Sequence, residues 1–102
     1  MKNSKVEICF IGNAIVDILS RVNYETLNEL EIPKGSMRLV GEELSDKILK
    51  HIKDPTIISG GSAANTAVGF KSFGGKCSFI GQIGNDEFGE MFSNDLNNSG
   101  IF

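Results

Sequence analysis

Hydrophobic positions in this chain follow two rhythms, and the switches between them outline its elements. Val6–Ile11 is almost continuously apolar and stops at Gly12. Such a run fits a short strand covered on both faces, as in a parallel sheet flanked by helices. Ile15–Val22 is again β-prone. Residues 23–31 fit a helical turn or a loop, 32–36 a turn, and Met37–Val40 a short strand. Leu44, Ile48 and Ile52 then recur every four residues, with Leu49 alongside. Acidic residues lead this segment, and Lys50, His51 and Lys53 trail it, which matches the helix dipole. Asp54-Pro55 stops it, so a helix is expected over 42–52.

The second half is punctuated by glycine: eight of the twelve glycines fall between residues 60 and 89. Ile57-Ile58 reads as the end of a strand that Ser59-Gly60-Gly61-Ser62 breaks. A helical pattern follows, with Ala63, Ala67 and Phe70 on one face and Ala64 and Val68 beside them. Ser62 suits its N-cap, and Gly74-Gly75 its left-handed exit. Cys77–Ile83 reads as a further strand. Asp86 then caps a helix with apolar positions Phe88, Met91, Phe92 and Leu96. Asn97–Gly100 ends that helix, and Ile101-Phe102 begins another strand. The order of turn, helix, turn, strand, turn and helix implies glycines chosen for backbone geometry. Gly60 and Gly61 thus sit just ahead of a helix N-terminus, where unpaired N–H groups and the positive dipole end point outward. Asn65, in the first turn, offers an amide that both donates and accepts, which suits a hydroxyl-bearing ligand.

Composition narrows the function classes. The chain has 102 residues, 40% apolar and 23% charged, with net charge −3. That is one small domain's worth of core. The ten basic residues form no stripe, which argues against nucleic acid as a partner. No apolar run approaches the length that spans a bilayer, and Glu7 interrupts the only run near the N-terminus. A cytoplasmic protein is therefore expected, without a membrane partner. Cys9 and Cys77 fall in strands expected to be buried, and a lone pair has neither metal-ligand nor redox spacing.

A strand that ends in glycine also opens dinucleotide-binding domains, but those need G-x-G-x-x-G at once. Here the strand is followed by Gly-Asn-Ala-Ile-Val-Asp, with a single glycine, and the nicotinamide reading fails. Asp17 lies between bulky apolar residues, either turned to solvent on a half-exposed strand or aimed at a ligand. Asn13 reads first as a turn former. His51, at the basic end of its helix, reads as complementing the dipole rather than as a general base.

Three motifs in this order resemble the PfkB-type carbohydrate kinases, which include ribokinase and adenosine kinase. Gly60–Ala67 (GGSAANTA) with Gly74 and Gly84 is similar to the first family signature. Gly81–Gly89 is similar to its G-x-x-G-x-D-x-x-G continuation, and Gly12–Asp17 to its N-terminal substrate motif. The motifs GNAIVD, KGSM (34–37) and GGSAANTA look most similar to bacterial adenosine-kinase-like members. The resemblance implies an α/β fold, the N-terminal part of a ribokinase-like three-layer αβα architecture with a mainly parallel central sheet and a small β-lid. Core elements are then expected over about 5–12 and 56–102, and the lid and insert over about 15–54. It further implies phosphoryl transfer from ATP, with Mg²⁺, to a hydroxyl of a sugar or nucleoside. Asn13, Asp17, Gly60, Gly61, Ser62 and Asn65 are the implied acceptor-binding residues. The family's Gly-Ala-Gly-Asp motif, which carries the general base, is not in this sequence, nor is a Walker motif. Residues 1–102 are thus expected to form an N-terminal fragment that is inactive alone. A non-catalytic module that dimerises through the lid is the alternative, as is a ribokinase- or fructokinase-type sugar kinase.

Overall fold

The computed structural model describes residues 5–102. In chain order it contains β1 (Ile8–Ile11), β2 (Ile15–Leu19), α1 (Tyr24–Glu29), α2 (Glu42–His51), β3 (Thr56–Gly60), α3 (Ser62–Ser72), β4 (Cys77–Ile80) and α4 (Glu87–Asn98). These divide into two compact units. One runs up to Asp17 and resumes over Ile57–Phe102; the other is Ile18–Thr56.

In the first unit β1 and β4 pair in parallel, with Ile8 opposite Cys77 and Phe10 opposite Phe79. β2 pairs with β3. Side chains alternate between the faces of a strand, and this register puts Phe10, Cys77 and Phe79 on one face. Both long helices of the unit cover that face. Phe10 meets Phe70 of α3 edge-on at 6.1 Å, and Phe79 meets Phe92 of α4 at 5.6 Å between ring centroids. The Cys77 thiol lies 3.5 Å from the Ala67 carbonyl oxygen, its acceptor on α3. Ala64, Ala67, Cys77, Phe92, Leu96 and Ile101 form the buried core. On α3 the buried side chains are both alanine, and such small groups let the helix lie close to the sheet. On the far edge of β4, Phe79 N–H donates to Phe102 O at 2.8 Å and Phe102 N–H to Cys77 O at 3.4 Å. Ile101-Phe102, expected to begin a strand, forms none among the described residues, although Phe102 bonds to β4 on both its N–H and its carbonyl.

The opposite face of β1 and β4 is open: Ile11 is 73% exposed and Ile80 56%. Cys9, expected in a strand buried on both sides, is exposed, whereas Cys77 is buried. That corrects the sequence reading, and the cause is that α3 and α4 share one face. In this unit the helices form one layer, on one face of the β1–β4 pair.

Local signals account for the helix ends. Asp86 caps α4, its Oδ1 accepting from Gly89 N–H at 2.8 Å. α3 leaves through Gly74, whose φ is +94°. Its start differs from expectation, because the cap is Gly61 and no side chain bonds there. Ser62 is already the first helical residue, too far along for its hydroxyl to cap the turn. Its carbonyl instead accepts from Thr66 Oγ1 at 2.7 Å.

Within Ile18–Thr56, residues 24–29 resolve as a helix with Asn23 as cap, Oδ1 accepting from Thr26 N–H at 2.9 Å. Lys34 Nζ donates to the Tyr24 hydroxyl at 2.8 Å and sits 5.1 Å from the ring centroid. α2 matches its periodicity but buries no residue fully. His51 Nδ1 lies 2.8 Å from Lys47 O, one turn back on its own helix. Met37–Val40 forms no strand, and β2 ends at Leu19 rather than Val22. The strand pair expected for the lid is thus not formed among the described residues. β2 has β3 as its ladder partner, and without a partner β propensity alone does not make a strand.

Candidate functional site

The implied acceptor-binding residues belong to three neighbouring pieces of the first unit: the β1–β2 loop, the middle of β2, and the turn from β3 into α3. Asn13 is exposed in the loop after β1. Asp17 is the third residue of β2, and its strand partner β3 ends at Gly60. This pairing lays the Asp17 carboxylate directly against Gly60. A methyl group on Gly60 would stand 2.9 Å from Asp17 Cγ and overlap Oδ2. Any larger residue here would displace the carboxylate from this seat. The Asp17 carboxylate rests on bare backbone and remains exposed.

Gly61 is constrained differently. Its φ of +94° lies where side chains are strongly disfavoured, and a Cβ there would also stand 3.0 Å from Asn13 O. The loop after β1 is thereby drawn against the start of α3. Gly61 O accepts from Asn65 N–H at 2.9 Å, the first helical bond of α3. Backbone N–H groups ahead of that bond have no intrahelical acceptor. Asn65 projects from the first turn and is exposed, as is Ser62. Asp17, Gly60, Gly61 and Asn13 are thus brought together, with Ser62 and Asn65 following on the helix that Gly61 begins.

Chemically, the arrangement offers a charged acceptor of hydrogen bonds above bare backbone, with an amide one turn away. A carboxylate takes two donors at once, and charge strengthens each bond. The group suits a polyol. Among the described residues no three His, Cys, Asp or Glu side chains gather as a metal site.

One feature near the site has no signature in the sequence. Ser59, just before the glycine pair, gives both its donors to Asp95 Oδ2: the hydroxyl at 2.5 Å and the backbone N–H at 3.2 Å. In sequence, Asp95 is merely a polar position on an amphipathic helix, and only the packing of α4 brings it to β3. The hollow lined by Phe79, Gly81, Ile83, Phe92, Leu96 and Phe102 lies elsewhere, beside the far edge of β4.

The chain as a whole is similar to known proteins. The adenosine kinase structure from Sinorhizobium meliloti matches 95% of this chain and 30% of its own, with TM-score 0.75 and 37% identity. A structure described as a probable sugar kinase protein from Rhizobium etli CFN 42 matches 91% of this chain and 28% of its own, with TM-score 0.74 and 36% identity. Among curated relatives, probable fructokinase-7 of Arabidopsis thaliana is 47% identical over 47 residues, 41% of this chain and 14% of that protein. The 5-dehydro-2-deoxygluconokinase of Clostridium beijerinckii is 50% identical over 42 residues, 41% of this chain and 12% of that protein. The chain thus spans less than a third of the solved structures and a smaller share of the curated relatives. The family model for pfkB family carbohydrate kinase matches residues 34–102, and with the glycine turn and its helix inside that span, the chain belongs to this family.

Proposed function

We propose that this chain supplies the acceptor-binding portion of an ATP-dependent kinase that phosphorylates an alcohol group of a sugar or nucleoside. Asp17 accepts two neighbouring hydroxyls of the acceptor. The backbone at Gly60 and Gly61 allows the ring to approach closely, Asn65 bonds a further hydroxyl, and Asn13 and Ser62 border the site. The observation that carries this reading is the seating of the Asp17 carboxylate on Gly60, which no residue with a side chain would permit.

ATP with Mg²⁺ is the phosphoryl donor in this proposal. Such transfer depends on positioning and on stabilising charge in the moving group. These residues contribute the positioning of the acceptor, and none of them serves as the general base. The 102 residues alone are accordingly expected to transfer no phosphate. Adenosine is the acceptor favoured first, since the likeness to an adenosine kinase extends over 95% of the chain. Fructose stands second, on the shorter but closer similarity to fructokinases.

Calorimetric titration of the chain with adenosine, fructose and ribose tests this. One of them binds, and Asp17→Asn weakens that binding by about 10- to 100-fold, the scale of hydrogen bonds to a charged group. The unfolding midpoint stays put, because Asp17 is exposed. No binding to any of the three, or equal binding by Asp17→Asn, refutes the proposal.

A further inference from the structure

Gly60 and Gly61 have no side chains with which to anchor themselves, and glycine carries more backbone freedom than any other residue. Downstream, the turn is held by the bond from Asn65 N–H to Gly61 O. Upstream, its nearest anchor is Ser59. Asp95 Oδ2 receives the Ser59 hydroxyl at 2.5 Å and the Ser59 N–H at 3.2 Å. One oxygen therefore fixes both the backbone and the rotamer of the residue that delivers the glycine pair. β3 has a single strand partner among the described residues, so this N–H finds at its other edge a carboxylate in place of a ladder.

Asp95 is itself well placed to anchor. It lies in the interior of α4, where Asp is a poor helix former. Its neighbours Phe92 and Leu96 are 3% and 6% exposed in the core. The helix around it is therefore held rigidly against the sheet, and Ser99 bonds back to the Asp95 carbonyl at 3.0 Å through its hydroxyl.

We propose that Asp95 is a positioning residue for the acceptor site: through Ser59 it holds the exit of β3 so that Gly60 keeps its backbone beneath the Asp17 carboxylate and Gly61 keeps the turn into α3 against Asn13. This rests on the acceptor-binding reading given above. Asp95 does not touch the acceptor; it acts only through the turn.

The test uses the full chain labelled with ¹⁵N, and adenosine and fructose as the probes. Asp95→Ala speeds amide exchange at Ser59, Gly60 and Gly61 selectively and leaves the β1–β4 ladder amides as protected as before. It weakens binding of the recognised probe about tenfold, the loss expected for hydrogen bonds to a charged group. Asp95→Asn retains an acceptor oxygen and loses less. Ser59→Ala reproduces the loss, and adding it to Asp95→Ala brings no further loss, because both break one link. Asn94→Ala, one residue away and exposed, changes nothing. Exchange that rises equally across the ladder overturns the proposal, as does unchanged affinity with Asp95→Ala in a folded chain. If the unsubstituted chain binds neither probe, the acceptor reading falls. Selective exchange at Ser59–Gly61 would then still uphold Asp95 as the anchor of the turn, and uniform exchange would overturn it.

Discussion

The two faces of the β1–β4 pair are built from the same few residues yet differ sharply. One carries Phe10, Cys77 and Phe79 under α3 and α4, and Cys77 there is fully buried. The other carries Cys9, Ile11 and Ile80, which are exposed, although strand alternation makes them as apolar as their neighbours. An apolar run therefore reports what a strand prefers on each side, whereas cover depends on where the next helices land. Both helices of this unit land on one side. In three-layer α/β sheets a further helical layer covers the second face, and an open face of this kind is the surface such a layer would occupy.

The sharpest challenge to this contrast comes from the covered face. Phe92→Ala removes a ring that touches Phe79, and is expected to lower stability by about 3–5 kcal/mol in denaturant unfolding. A loss near that of an exposed residue would mean that α4 is not packed as described. Thiol labelling reads the same contrast more gently. Cys9 should react at least about tenfold faster than Cys77, which is reached only through opening of the core. Equal rates would break the distinction between the faces. The smallest effect belongs to the open face: Ile11→Ser should change stability by less than about 1 kcal/mol in the same unfolding measurement. A loss of several kcal/mol would show that this face is covered after all.

Local signals were legible wherever a few adjacent residues settle the outcome. The Asp86 cap, the Gly74 exit and the span of α2 are read from neighbours in the chain, because capping and helix formation are short-range. The helix cap at Gly61 was misread, since Ser62 satisfies the composition rule yet lies one position too late. Met37–Val40 has strand-forming residues but no partner to complete a ladder, and Met37 and Leu39 are 86% and 91% exposed. The contrast of α2 with α3 points the same way. α2 has the clear amphipathic pattern and buries nothing fully, while α3 has a weak one and buries two alanines. Periodicity marks the side of a helix that is apolar; small side chains mark the side that can come close.

The sequence by itself determined the family, the strand and helix order of the second half, and the glycine pair at the head of a helix. Those features depend on residue types at fixed spacing, which a single chain displays openly. Tertiary structure alone decided that Asp17 rests on Gly60, that Ser59 is tied to Asp95, and that one sheet face is covered while the other is open. Each of these joins residues dozens of positions apart, or sets helices on one side of a sheet. Such relations arise only when strands choose partners and helices choose a face.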